Sequence, residues 1–165
     1  QEYSQYGFVT PANYNAPGQI VIAGETEATA KAAAAAKENG AKIVSKLNVS
    51  GPFHTALLKP ASEKLAQELQ QLHLCDMTIP VITNVTGQEV ENNEEIIPLL
   101  IKQVMSPVKW EETVVTLSKK GVDTFIEIGP GKTLSGFVKR TVKGATILNV
   151  ENQKTLEKTV EKLLG

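Results

Sequence analysis

The sequence predicts a mixed α/β protein whose first part differs in pattern from the rest. From Ala56 onward, amphipathic helical patterns alternate with short apolar strands, which is typical of an α/β architecture. Before that point the order is strand, strand, helix, strand, which matches the second half of a ferredoxin-like β-α-β-β-α-β unit. We therefore expect a small part over residues 1–48 and a larger part over residues 49–165.

The small part is predicted to contain two strands joined by a turn, an alanine-rich helix and a third strand. In that order, these elements are Phe8 to Tyr14, Gln19 to Ala23, Glu25 to Asn39 and Ala41 to Leu47. In a complete ferredoxin-like unit, the first strand lies between the third and the last, so its absence leaves a gap in the sheet. Because unpaired strand amides favour aggregation, we expect the missing strand to come from upstream sequence or from a second chain. The alternative is a small sheet in which the strands pair in another order.

The larger part is predicted to begin with an amphipathic helix that presents one apolar face to a core. The predicted helices are Ala56 to Leu72, Asn93 to about Met105, Pro107 to Lys120, Lys132 to about Val142 and Lys154 to Leu164. The predicted strands are Ile79 to Val85, Val122 to Ile128 and Ala145 to Val150. This alternation is why we assign the region to the α/β class.

Composition excludes several classes of protein. The chain has 165 residues with 17 basic and 18 acidic side chains, and a net charge of -1 argues against a nucleic-acid footprint. No apolar run approaches the ~20 residues that span a bilayer, so no membrane partner is expected. The single cysteine, Cys75, cannot form an internal disulfide, which fits a reducing cytosol. Since Gln1 is not an initiator methionine, we expect the chain to begin within a longer protein.

His54 is the strongest candidate for a catalytic residue. It lies between a strand-like run and a helix, where Gly51-Pro52 breaks the strand and Phe53 adds an apolar wall that keeps water out. Histidine is the usual side chain for taking a proton from a serine near neutral pH. A lone histidine is more often structural, but its place at an element boundary favours a functional role.

The expected nucleophile is not found in this sequence. No serine occupies the Gly-x-Ser-x-Gly elbow: Ser50 lacks the first glycine, and Ser135 has Thr133 at that position. A base without its nucleophile suggests part of an enzyme.

The glycine loop over 127–133 does not fit a nucleotide-binding motif. A Walker A loop needs glycine where Ile126 stands, and Gly136 is out of register for Gly-x-Gly-x-x-Gly. The loop is predicted as a strand-to-helix turn. Its amides could meet a phosphate or bond to a neighbouring loop, and the structural alternative is favoured.

Four segments together resemble bacterial malonyl-CoA:acyl carrier protein transacylases, in that family's order and spacing. They are Asn13 to Gln19, Ser50 to His54, Gln103 to Trp110 and Glu127 to Thr133. The resemblance runs over essentially the whole chain and corresponds to the C-terminal half of the enzyme. It implies part of a large α/β-hydrolase-like acyltransferase domain, with an inserted ferredoxin-like subdomain.

The resemblance implies a ping-pong transfer of malonyl from coenzyme A, through a serine acyl-enzyme, to the phosphopantetheine thiol of acyl carrier protein. His54 matches the general base. Gln103 matches the residue whose carbonyl orients that histidine, in place of the acid of a Ser-His-Asp triad. A neutral acceptor fixes the tautomer without adding a charge.

Four further residues are assigned to the cleft by the same resemblance. Phe53 matches a pattern in malonyl-selective members of the wider superfamily, where a bulky ring crowds an α-methyl branch. Asn84 is expected to support the loop of the histidine, and Asn13 and Asn15 match a loop bordering the cleft. For these three asparagines a purely structural role remains open.

The expected partners are malonyl-CoA, acyl carrier protein and the missing N-terminal half, which holds the serine, the oxyanion-hole amides and an arginine for the malonyl carboxylate. No metal and no cofactor are expected, because the coenzyme A thioester and phosphopantetheine are substrates. Lys139, Arg140 and Lys143 form a basic cluster that could receive an acidic carrier helix or could simply be solvated. The enzyme is expected in the cytoplasm, in fatty acid synthesis, with this chain inactive alone.

Two alternatives remain open. The first is a non-catalytic binding or assembly module that has lost its nucleophile. The second is a fragment of a polyketide synthase acyltransferase domain, although the ending at Gly165 favours the discrete bacterial enzyme.

Overall fold

The computed structural model describes residues 5–49 and 51–165, so Ser50 of the histidine segment lies outside the described residues. The strands are β1 Val9–Ala16, β2 Gln19–Gly24, β3 Thr124–Ile128 and β4 Thr146–Val150. The α-helices are α1 Thr26–Glu38, α2 Lys59–Leu69, α3 Ile96–Gln103, α4 Trp110–Lys119, α5 Thr133–Thr141 and α6 Gln153–Leu164. Short 3₁₀ helices over Ala56–Leu58 and Asn93–Glu95 precede α2 and α3. The class is mixed α/β, as the sequence predicts.

The N-terminal elements are a hairpin and a helix. β1 and β2 pair antiparallel, and Gly18 adopts the positive φ of 73° that the tight turn requires. The hairpin and α1 are therefore confirmed. At the far end of the hairpin, Gly24 has a φ of 156° and packs against the backbone of Phe8 and Val9.

Two predicted strands are wrong. Ala41 to Leu47 forms no strand, and the side chain of Ile43 is 86% exposed. Ile79 to Val85 contributes a single β-bridge, from Ile82 to Glu89. A strand forms only where a neighbour pairs with its N–H and C=O groups along its length. Among the described residues, Ala41 to Leu47 has no such neighbour, and Ile79 to Val85 has only the short pairing around that bridge. The described part of the chain also lacks the alternative pairing, in which Ala41 to Leu47 would join the hairpin in another order.

The C-terminal elements form a small parallel unit. β3 and β4 pair in register from Thr124 opposite Thr146 to Ile128 opposite Val150, and α5 connects them. α5 packs on both strands, and α6 returns along β4. Ile128 is 81% exposed at the end of β3, so this two-stranded sheet leaves apolar surface uncovered. Within the residues described, no helix has the length and apolar character needed to cross a bilayer.

One backbone junction joins the hairpin to the larger part. Val108, just before α4, donates its N–H to the Ala12 carbonyl and accepts from the Tyr14 N–H, both at 2.8 Å. The next residue, Lys109, donates its N–H to the Asn84 carbonyl at 2.8 Å. α4 packs against β1, and Val114 in this helix is fully buried. The junction therefore fixes the hairpin relative to the segment that follows α3.

Candidate functional site

His54 lies in a turn with an uncommon backbone conformation. It is the one non-glycine residue with positive φ in the described chain, at 61°. A residue other than glycine rarely adopts this backbone conformation. It is found mainly where the surrounding structure enforces it, often at active sites. The side chain is half-buried. The backbone therefore identifies the same residue that the sequence does.

The imidazole is oriented by the end of α3. His54 Nδ1 lies 3.1 Å from the backbone carbonyl oxygen of Gln103, the last residue of that helix. Carbonyls in the last turn of a helix lack intrahelical partners and carry partial negative charge. Because a carbonyl can only accept a hydrogen bond, Nδ1 carries the proton in the neutral ring. The unprotonated nitrogen of that tautomer is Nε2, which can then accept a proton.

A second contact holds the same helix end. Ser62 in α2 is 3% exposed and donates its hydroxyl to the Ile101 carbonyl at 2.8 Å. Ile101 lies two residues before Gln103, so α2 supplies a partner for another carbonyl of this last turn. The hydrogen bond from Ser62 therefore connects α2, which follows His54 in sequence, to α3, which orients the His54 ring.

The other predicted site residues fall into two places. Phe53 is 53% exposed, and its ring lies beside Gly51 next to His54. Asn13 forms a β-bridge with Val108, and the Asn84 carbonyl bonds to the next residue, so both meet the junction through their backbones. Within the described residues, the side chains of Asn13, Asn15 and Asn84 make no hydrogen bond to His54.

Backbone amides in and just after the glycine loop donate hydrogen bonds to two glutamate side chains. Glu127 accepts hydrogen bonds from the N–H groups of Leu134 at 3.1 Å and Ser135 at 2.7 Å, in the first turn of α5. Glu151 accepts from the Gly131 N–H at 3.0 Å. These amides are therefore occupied by the protein's own anions, which supports the structural alternative over phosphate binding.

Glu127 should contribute to stability in a pH-dependent way. Burial alone would raise the pKa of Glu127, but hydrogen bonds from Ser135 and the Leu134 amide outweigh it, and the pKa is lowered. A lowered folded pKa means that the contribution is complete above the unfolded value of about 4.3 and is lost as pH falls through the folded value.

We expect Glu127→Gln to lower the free energy of unfolding by about 0.5–1 kcal/mol at pH 7, with a smaller difference at pH 3. Urea unfolding of both proteins at the two pH values measures this difference. Glu157→Gln, at an exposed position within α6, is the matched control and should change little. An equal loss at both pH values would contradict the assigned role.

In the described ranges, no three His, Cys, Asp or Glu side chains cluster closely enough to hold an ion. An open surface depression of about 560 Å³ is lined by Met77 and by acidic and amide residues near Asn93, and it does not include His54. The candidate site is thus the His54 turn together with the end of α3.

Sequence reasoning missed two features of this site. The positive φ of His54 was not inferred from the sequence, although histidine is among the non-glycine residues that are enriched in this conformation. Thr55 was not singled out as a site residue, yet it is 1% exposed and makes two hydrogen bonds around His54. A threonine directly before a helical run is a recognisable N-cap signal.

Three comparisons place this arrangement among known proteins. The sequence profile of the acyl transferase domain matches residues 4–162. The malonyl CoA-acyl carrier protein transacylase of Bacillus subtilis (strain 168) is 45% identical over 152 residues, which cover 92% of this chain and 48% of that relative. The crystal structure of the transacylase from Clostridium perfringens ATCC 13124 is 49% identical with a TM-score of 0.94, over 99% of this chain and 51% of that one.

The structure of a third relative contains a bound partner protein. PlMCAT, a malonyl-transacylase bound to the type II polyketide synthase acyl carrier protein AntF, is 40% identical with a TM-score of 0.93. The match covers 98% of this chain and 52% of that one.

The chain belongs to the acyl transferase domain family, whose profile matches most of its length. Within that family, the relatives described above are malonyl-CoA:acyl carrier protein transacylases, as the sequence resemblance implies. The chain spans about half the length of the curated relatives it matches, which agrees with a C-terminal half.

Proposed function

We propose that the protein carrying this chain transfers malonyl from coenzyme A to the phosphopantetheine thiol of acyl carrier protein, and that this chain supplies the general base. The single observation that carries the proposal is the hydrogen bond from His54 Nδ1 to the Gln103 carbonyl, which directs Nε2 to proton transfer. The names of the relatives supply the substrates. The N-terminal half supplies the serine, the oxyanion-hole amides and the arginine for the malonyl carboxylate.

The chemistry follows from that tautomer. Nε2 of His54 takes the proton of the serine hydroxyl while the serine oxygen attacks the thioester carbonyl, and the coenzyme A thiolate leaves with that proton. In the second half-reaction, Nε2 takes the proton of the carrier thiol, whose sulfur attacks the malonyl ester. The serine oxygen leaves and recovers the proton. The Gln103 carbonyl stabilises the imidazolium at both stages without a second ionised group.

The relation of the two parts of this chain to the complete enzyme also belongs to the proposal. Residues 1–48 form half of a ferredoxin-like subdomain, and residues 49–165 form the C-terminal part of the α/β-hydrolase-like domain. The uncovered apolar side chains of Ile43 and Ile79, which are 86% and 74% exposed, support strand pairing with the N-terminal half. Alone, this chain is inactive.

Phe53 is proposed to bias acyl selectivity. Its ring lies next to the base, where it would crowd an α-methyl branch, but half of it is exposed. Apolar crowding discriminates by about 1–3 kcal/mol, so we expect Phe53→Ala to raise the methylmalonyl-to-malonyl ratio of kcat/KM by roughly tenfold, near the lower end of this range. Competition between the two coenzyme A thioesters measures this ratio. Phe137→Ala, on α5, is the control, and an unchanged ratio in the Phe53 variant would remove this role.

The basic cluster Lys139, Arg140 and Lys143 is proposed to receive the carrier protein. All three side chains are exposed at the end of α5, and the guanidinium of Arg140 also bonds to Gln19 of β2. We expect the carrier on-rate to fall with rising salt, and expect this dependence to disappear in Lys139→Glu/Arg140→Glu.

Stopped-flow measurements of carrier protein association over a series of salt concentrations give the salt dependence of the on-rate. The matched control is Lys154→Glu/Lys158→Glu, which reverses two exposed charges on α6. Equal salt slopes for the two double variants would place docking elsewhere.

The test of the proposed function uses the complete enzyme, which is this chain with the N-terminal half that its relatives have. Malonyl transfer from malonyl-CoA to holo acyl carrier protein should give parallel double-reciprocal lines, as a ping-pong mechanism requires. Mass spectrometry after exposure to malonyl-CoA alone should find a malonyl ester on a Gly-x-Ser-x-Gly serine. Carrier binding without transfer would instead identify a non-catalytic module.

A further inference from the structure

The turn that holds His54 is closed by a buried threonine. Thr55 is 1% exposed, and its hydroxyl donates to the Pro52 carbonyl at 2.8 Å. The same oxygen accepts from the Leu57 N–H at 3.3 Å. One side chain therefore ties the residue before Phe53-His54 to the first turn of the helix that follows. His54 is inside the loop that the first of these bonds closes.

This closure explains how the strained backbone of His54 persists. A φ of 61° is unfavourable for a residue with a Cβ, so the surrounding contacts must hold it. The bond from Thr55 to Pro52 is such a contact, because it fixes the distance between the two ends of the turn. With the backbone held, the ring is directed toward the end of α3, where Nδ1 meets the Gln103 carbonyl.

We infer that Thr55 is a positioning residue for the reaction, because its hydroxyl holds His54 in the backbone conformation that brings Nδ1 to the Gln103 carbonyl. This inference rests on the proposed function, since it concerns the same histidine. Thr55 touches neither substrate nor the reacting atoms and acts through His54. It was not among the site residues found from the sequence.

A simpler role would be helix capping alone. The bond from the Leu57 N–H is an N-cap bond, and its loss would lower stability without changing the ring. The two roles differ in what they do to His54. A cap alone leaves the histidine tautomer and kcat unchanged in the folded protein, whereas the positioning role requires both to change.

The test compares Thr55→Val, which keeps the shape and removes the hydroxyl, with Thr55→Ser, which keeps the hydroxyl. Thr159→Val in α6 is the matched control, because Thr159 is also buried and donates to a backbone carbonyl, that of Asn149. We expect Thr55→Val to lower kcat by about tenfold to a hundredfold with KM nearly unchanged. Thr55→Ser and Thr159→Val should remain within a few fold of the original enzyme.

A second readout does not depend on activity. ¹⁵N NMR of the imidazole in the complete enzyme should show an Nδ1–H tautomer for His54, and Thr55→Val should lose this preference while Thr159→Val keeps it. If Thr55→Val retains either the Nδ1–H tautomer or the original kcat, the inference is overturned. If the original enzyme transfers no malonyl, the proposed function fails, and the NMR comparison still decides whether Thr55 positions the ring.

Discussion

Replacing His54 with alanine should lower kcat for malonyl transfer in the complete enzyme by about 10³–10⁶-fold, the range expected when the base of a serine and histidine pair is removed. In the proposed mechanism, this variant lacks the group that takes the serine proton and returns it to the leaving thiolate. KM for malonyl-CoA should change little, because the proposed function assigns the substrate carboxylate to an arginine of the other half. Steady-state kinetics and circular dichroism of both proteins measure the effect and check the fold.

Gln103→Ala is the informative control for this experiment. The structure shows contact between His54 and the backbone oxygen of Gln103, which alanine retains, so activity should stay within several fold. If His54→Ala keeps more than about a tenth of the activity, His54 is not the base. In that case the alternative of a non-catalytic module for this chain regains its support.

Gly24→Ala should lower the free energy of unfolding of the complete enzyme by about 3 kcal/mol or more. A Cβ at this position would lie 2.1 Å from the Phe8 carbonyl oxygen and 2.8 Å from the Val9 Cα, and the φ of 156° adds strain. These contacts are with backbone, so a rotamer change does not relieve them. The end of the hairpin must open. Chemical unfolding monitored by circular dichroism measures the loss.

Two other glycines provide controls with different expected results. Gly18→Ala at the hairpin turn has open space around the added Cβ but a φ of 73°, so we expect about 1 kcal/mol of destabilisation from strain alone. Gly136→Ala within α5 has neither a clash nor positive φ and should stabilise the protein by about 0.5–1 kcal/mol. Similar effects at all three positions would contradict the close approach at Gly24.

The elements that the sequence predicts correctly depend on local information. The hairpin has turn residues between two strand-like runs, and α1 has strong helix formers that end at Asn39 and Gly40. Ala41 to Leu47 and Ile79 to Val85 have equally apolar, strand-like composition. A strand also needs a neighbouring strand, and among the described residues neither segment is part of a sheet, which the composition of the segments does not reveal.

The candidate site was predictable in identity but not in geometry. Residue type and position at an element boundary identify His54, and family resemblance identifies Gln103. Neither source fixes the positive φ of His54, which is observed only in the folded turn. The hydrogen bond from the Thr55 hydroxyl to the Pro52 carbonyl likewise becomes evident only once the turn is folded.

The use of a main-chain oxygen to orient the histidine changes which mutations the site tolerates. All twenty amino acids carry the same carbonyl, so no substitution at position 103 can delete the acceptor directly. This contact depends instead on the position of the end of α3. The hydrogen bond from Ser62 in α2 to the Ile101 carbonyl helps to fix that position. Insertions, deletions and packing changes between α2 and α3 are therefore the mutations that would move the Gln103 carbonyl away from the His54 ring.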